Sequence, residues 1–228
     1  MELDIPMIIQ KEDERYGLAT VEMILNYYGV DSAPLESFLD ERQGGTDMAQ
    51  VGRAFLAYGF ETEIVTCHPR LFDMHNHSLT PEEIYAHIEK MTQFDLEQTH
   101  DRITLENLLM YLDEGGKITI KAPSFDIVKR ELDAGRPSIG NVTTIFTFRG
   151  QPMHNPHYVV FTGYKKDKVI FNNPDVTHTK GTLGPKNVYS GHEKIKGRWI
   201  FGGLYSDELN QKIDEGAILL VRKKETTT

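Results

Sequence analysis

The stretch IPMIIQKEDERYGLATVEMILNYYG, residues 5–29, decides the fold. It predicts a short apolar strand, a polar loop, and then a helix whose apolar residues recur every three or four positions. Tyr16 and Gly17 fall at the junction between loop and helix, where backbone N–H groups have no partner inside the helix. Gln10 places a side-chain amide at the end of the apolar run. A helix start of this kind is suited to holding a negatively charged or polar group.

A second informative block lies far downstream. Residues 157–164 read HYVVFTGY, and residues 169–174 read VIFNNP. Taken alone, His157 is a core histidine ahead of an apolar strand, and Asn173 is a turn residue before proline. A smaller piece, Gly45-Thr46, precedes a helical pattern that ends near a Tyr-Gly-Phe sequence.

Together these pieces resemble the bacteriocin-processing (double-glycine leader) cysteine peptidases, family thirty-nine, and their stand-alone relatives. The family pattern is a Gln, a polar loop, Cys-Gly-x-Ala, and a helix that ends near Tyr-Tyr-Gly. The chain departs from this pattern at the nucleophile, where it has Tyr16 in place of Cys. On this match Gln10 takes the position of the oxyanion donor, His157 that of the general base, and Asn173 that of the residue that orients the imidazole. The resemblance covers most of residues 5–174.

The resemblance implies an α+β, papain-like cysteine peptidase fold, and the order of the sequence patterns agrees with it. Helical patterns dominate the first half and strand patterns the second, which predicts a helical half packed on an antiparallel sheet. The cleft would lie between the halves, with Tyr16 facing the strand that carries His157. We expect one peptidase-like domain, residues 1–228, with a family-atypical helical insertion around 69–116. A loop is predicted for 176–196, and closing strands for 198–204 and 217–222.

Composition narrows the classes of function. With 39% hydrophobic and 26% charged residues among 228, the chain is typical of a globular protein. No run approaches the roughly 18 apolar residues of a membrane span, and no signal pattern opens the sequence, so we expect no membrane insertion and a cytoplasmic location. The net charge of −9 argues against nucleic-acid binding. The oligomeric state is left open.

The sequence gives little support for a bound metal or cofactor. Histidines are paired at short spacing in two places, and neither pair has a third ligand nearby at helical or strand spacing: His75 with His77, and His154 with His157. We therefore predict no metal and no cofactor.

The single cysteine, Cys67, excludes an internal disulfide and a cysteine-based zinc site. His68 is its neighbour, but adjacent strand residues point to opposite faces and so do not form a catalytic pair. We expect Cys67 to be a half-buried thiol at a strand end.

Function depends on Tyr16. A phenol, with an ordinary pKa of about 10 against about 8.5 for a thiol, is bulkier and less nucleophilic. The peptidase-like domains of hemolysin-type exporters resemble the chain at this junction, with Tyr-Gly-Leu, and bind an unfolded polypeptide without cutting it. The resemblance implies a catalytically degenerate, cysteine peptidase-like protein that binds a peptide or a polypeptide terminus.

Two alternatives stay open, and with them the question of whether the chain is an enzyme. One is an active peptidase, amidase or acyl-transfer enzyme that uses His157 without a thiol at position 16. The other is a structural or partner-regulating subunit with an unused cleft.

Overall fold

Five α-helices, one short 3-10 helix and seven strands make up the described part of the chain. The computed structural model describes residues 1–10, 16–31, 35–38, 45–68, 71–72, 78–94, 99–143, 156–174, 192–196 and 216–224. The helices are α1 (Tyr16–Tyr27), α2 (Met48–Ala57), α3 (Pro81–Thr92), α4 (Thr99–Asp113) and α5 (Phe125–Asp133), with the 3-10 helix at Leu35–Phe38. The strands are β1 (Phe60–Thr66), β2 (Lys117–Ile120), β3 (Ser138–Thr143), β4 (Pro156–Lys165), β5 (Lys168–Asn172), β6 (His192–Lys196) and β7 (Ile218–Lys223). Among these helices none is long and apolar enough to cross a membrane.

All seven strands form one sheet, in the order β2-β1-β7-β3-β4-β5-β6. The predicted α+β class is confirmed, and the described sheet is antiparallel except at one edge, where β1 and β2 run parallel. The chain between them passes through α3 and α4, and a crossover of this length is what parallel neighbours require. The last strand, β7, lies in the middle and pairs with β1 on one side and β3 on the other.

The sheet buries both of its faces. Along β4, Tyr158 and Val160 belong to the larger core, which also contains residues of α1 to α4. Val159 and Phe161 belong to a smaller core beneath α5. This alternation is the period-two pattern of a strand covered on both sides. The helical half is therefore packed on one face of the sheet, with α1 against β4 and α2 against β1.

Local signals in the sequence fix several helix ends. Thr80 caps α3: its hydroxyl accepts from the backbone N–H of Glu83 at 3.3 Å, and its own N–H donates to the Glu83 carboxylate at 2.8 Å. Asp47 caps α2 in the same reciprocal way with Gln50. Gly59, just after α2, has the positive φ of +79° that favours glycine at this position.

Two predicted elements differ from the structure. The strand expected from Ile5 is absent. Among the described residues, the backbone of this segment bonds the sheet side only near its ends, from the Leu3 N–H to the Thr162 carbonyl and from the Gln10 N–H to the Pro174 carbonyl. A strand, β6, lies inside the predicted 176–196 loop, because it finds its hydrogen-bond partner in β5.

The described residues do not test the other predictions about the fold. The predicted 198–204 strand and most of the predicted loop lie outside the described residues. Helices α3 and α4 fall within 69–116 and pack against each other. The single domain with a family-atypical insertion in this segment stays a prediction.

Candidate functional site

Tyr16 is the first residue of α1, and its ring lies against His157 at the start of β4. The ring centroids are 5.0 Å apart and the planes are tilted by 55°. His157 is buried, with 4% of its surface exposed, whereas Tyr16 is partly exposed. The packing of α1 on β4 thus brings two residues that are distant in sequence into direct contact.

His157 is held by Asn173. Its Nε2 lies 2.6 Å from the Asn173 Oδ1, and both side chains are buried. Because the amide oxygen only accepts, Nε2 must carry the hydrogen, and in the neutral ring Nδ1 is then the acceptor. The imidazole is therefore oriented with Nδ1 as the nitrogen that takes a proton or a hydrogen bond. This is the arrangement that a general base requires.

Gln10 is attached to the same segment of chain. Its backbone N–H donates to the Pro174 carbonyl at 3.0 Å, one residue beyond Asn173. The side chain is 9% exposed, and its Oε1 is buried without a partner in the part of the chain that the structure describes. The structure thus brings Tyr16, His157 and Asn173 together and anchors Gln10 next to them. The catalytic roles of these four residues stay predictions.

Two residues beside the site were not predicted as part of it, Tyr158 and Thr46. The Tyr158 ring lies 5.5 Å from that of Tyr16, and its hydroxyl donates to the Thr46 carbonyl at 3.3 Å. A Cβ atom added to Gly17 would lie 1.9 Å from the Thr46 Oγ1, so only glycine lets this loop approach the start of α1 so closely. The Gly45-Thr46 pair was a sequence signal for this loop, whereas nothing singled out Tyr158.

The loop that carries Thr46 is also fixed from the helical side. The next residue, Asp47, accepts from the Gln50 backbone N–H at 2.8 Å with one carboxylate oxygen and from the Asn107 amide of α4 at 2.5 Å with the other. Asp47 is 1% exposed. The start of α1 therefore rests on a loop that is bonded to both α2 and α4.

The remaining candidates lie elsewhere or outside the described residues. Cys67 follows β1 directly and is partly exposed, as predicted. His75, His77 and His154 are outside the described residues. Within the ranges that the structure describes, no group of three or more His, Cys, Asp or Glu side chains could hold a metal ion.

Comparison with known proteins gives the class that this fold and site belong to. The family model described as the Peptidase_C39 like family matches residues 2–200, and the chain therefore belongs to that family. No curated protein matches the chain. The predicted family is confirmed, while the loss of catalysis through Tyr16 stays a prediction.

Two similar solved structures are both peptidases of this kind by description. One is a double glycine motif protease from an AMS/PCAT transporter in complex with the leader peptide, with 17% identity and a TM-score of 0.43, covering 98% of this chain and 94% of that chain. The other is a putative C39-like peptidase from Bacillus anthracis, with 15% identity and a TM-score of 0.40, covering 97% of this chain and 96% of that chain.

Proposed function

We propose that the chain binds a peptide or polypeptide terminus at the Tyr16–His157 site and does not cleave it by thiol chemistry. The observation that carries the proposal is the contact between the two rings, 5.0 Å apart at the start of α1. An aromatic side chain occupies the place beside the oriented imidazole where a cysteine peptidase needs a thiol.

The chemistry of the two groups supports the absence of cleavage. A helix start and a neighbouring imidazole lower the pKa of a thiol and so create a reactive thiolate. A phenol begins from an ordinary pKa of about 10 and is a poor nucleophile toward an amide. The only thiol of the chain, Cys67, follows β1, whereas the side chain against His157 is that of Tyr16.

The same groups are suited to binding a polypeptide. The positive end of the helix dipole at the start of α1 favours a ligand carbonyl or carboxylate. The partly exposed ring of Tyr16 offers a face on which an aromatic or arginine side chain can stack. Asn173 holds the imidazole of His157 in a fixed orientation, so the site needs little rearrangement to accept a ligand.

A random-sequence library of unstructured peptides tests the proposal. The wild-type protein is expected to retain a subset of peptides intact, as measured by mass spectrometry of the retained and released fractions. Tyr16→Ala is expected to weaken retention about tenfold, since it removes a stacking surface. Tyr85→Ala, which removes a partly exposed tyrosine on α3, is the control and is expected to bind as the wild type does. Equal retention by the wild type and Tyr16→Ala would contradict the proposal.

One observation favours the enzyme alternative: the Asn173 hydrogen bond leaves Nδ1 of His157 as an acceptor, as a general base needs. In that case the same library would be cut by the wild type and not by His157→Ala. Cleavage that persists after alkylation of Cys67 would identify a peptidase or amidase without a thiol nucleophile. Cleavage that alkylation abolishes would assign the nucleophile to Cys67.

A further inference from the structure

Tyr158 connects the sheet to the helical half directly beneath the site. It lies in β4 next to His157, and it is 1% exposed. Its ring lies 5.5 Å from the ring of Tyr16, and its hydroxyl donates to the Thr46 carbonyl at 3.3 Å. One buried side chain therefore contacts both the start of α1 and the loop that precedes α2.

The loop and the start of α1 are packed closely against each other. The Thr46 Oγ1 fills the space that a Cβ atom on Gly17 would occupy, 1.9 Å away. On its other side the loop is fixed to α2 and α4 through Asp47. The hydroxyl of Tyr158 is the group in this set that joins the loop to the sheet.

We propose that Tyr158 is a positioning residue that sets how closely the start of α1, and with it Tyr16, approaches His157. Without the hydroxyl, the Thr46 loop loses its hydrogen bond to β4. Gly17 then follows Thr46, and the ring of Tyr16 loosens over the imidazole. The consequence for ligand binding rests on the proposed function, whereas the contact between Tyr16 and His157 can be measured without any ligand.

The imidazole of His157 reports this contact, because a neighbouring aromatic ring favours its protonated form. The test is Tyr158→Phe, which keeps the ring and removes the hydroxyl. Its matched control is Tyr111→Phe. Tyr111 is also buried, and its hydroxyl also donates to a backbone carbonyl, that of Lys117 at 3.2 Å. The titration of the His157 ring is followed by NMR in the wild type and in both variants.

Tyr158→Phe is expected to lower the titration midpoint of His157 by about half a pH unit, and Tyr111→Phe to leave it unchanged. A loss of stability alone would not produce this difference, because both variants lose a buried hydrogen bond to a carbonyl. An unchanged midpoint in Tyr158→Phe, or an equal shift in Tyr111→Phe, would overturn the positioning role.

Binding of the peptide library by the same variants separates this inference from the proposed function. We expect about threefold weaker retention in Tyr158→Phe than in Tyr111→Phe, roughly the effect of one misplaced stacking contact. If the wild type retains no peptide, the proposed function fails, and the titration still decides the role of Tyr158. If the midpoint shifts and the two variants retain peptides equally, the link between positioning and binding is wrong.

Discussion

Replacing Glu131 with Gln is expected to lower the free energy of unfolding by about 1.5–3 kcal/mol, the range for hydrogen bonds to a charged group. Glu131, in α5, is 1% exposed and is surrounded by three guanidinium groups. Its Oε1 accepts from Arg130 at 3.0 Å and from Arg222 at 3.1 Å, and its Oε2 accepts from Arg136 at 2.7 Å. The substitution removes the negative charge that these arginines share and leaves their charges close together.

The Glu131 cluster matters because of the strand it holds. Arg222 belongs to β7 and also donates to Glu63 of β1 at 2.9 Å. In the described sheet β7 is the strand that joins β1 to β3. The cluster therefore links α5, β7 and β1, and its loss weakens the connection between the two parts of the sheet.

The effect of Glu131→Gln is expected to depend on pH. Burial by itself would raise the pKa of Glu131, but hydrogen bonds from Arg222 and Arg130 outweigh it, and the net pKa is lowered. A carboxyl with a lower pKa in the folded chain contributes its full stability above its unfolded pKa, about 4.3. That contribution is lost as the pH falls through the lower folded value. The difference between wild type and variant should thus be largest near pH 7 and shrink in acid.

Urea unfolding, followed by circular dichroism at several pH values, measures both effects. Glu114→Gln is the matched control, since Glu114 pairs with Arg53 at 2.6 Å but has 40% of its side chain exposed. An exposed pair of this kind contributes about 0–1 kcal/mol. Equal losses in the two variants, or a Glu131→Gln effect that does not change with pH, would contradict the account of the cluster.

Tyr16→Cys is expected to create a thiol that an alkylating probe modifies about tenfold faster than the same thiol in a chain that also carries His157→Ala. The introduced thiol would stand at the start of α1 beside the imidazole that Asn173 orients. Both the helix start and a protonated imidazole stabilise a thiolate. Because Cys67 is also labelled, the rate must be followed separately at each cysteine by mass spectrometry.

The control for Tyr16→Cys replaces a histidine elsewhere. His87, on α3, forms a hydrogen bond from its Nε2 to the Leu71 carbonyl at 2.8 Å, and its ring stacks on that of Phe72. Adding His87→Ala to Tyr16→Cys is expected to leave the labelling rate at position 16 unchanged. Equal, slow labelling with and without His157 would mean that the site has no catalytic geometry. That result would favour the alternative of a structural or partner-regulating subunit.

The sequence predicts the parts of this fold that depend on neighbouring residues. Thr80 ahead of Pro81, Asp47 ahead of α2, and Gly59 after it act within one helical turn: the first two cap their helices, and Gly59 has a positive φ. Strand order is different, because it depends on which distant backbone offers hydrogen bonds. The apolar residues after Ile5 satisfy a strand pattern but find partners only at the two ends of the segment. The central position of β7 in the sheet is not indicated by any pattern in its own segment of the sequence either.

The site, like the fold, could be predicted from the sequence only in part. Gln10, Tyr16, His157 and Asn173 could be selected because their surroundings resemble a known pattern, and the structure places three of them in a chain of contacts. Tyr158 could not be selected, because it follows His157 in a strand, where neighbours normally face opposite sides. Its contacts with Tyr16 and Thr46 depend on how α1 and the Thr46 loop pack against the end of β4.

Photo-crosslinking locates a bound peptide on the protein. Peptides retained from the library, synthesised with a photoreactive phenylalanine analogue at successive positions, are irradiated with the protein, and the attachment sites are mapped by mass spectrometry. We expect intact peptides attached at residues around Tyr16, with attachment lost in Tyr16→Ala and kept in Tyr85→Ala. Attachment elsewhere on the chain, or the recovery of cleaved peptides, would contradict it.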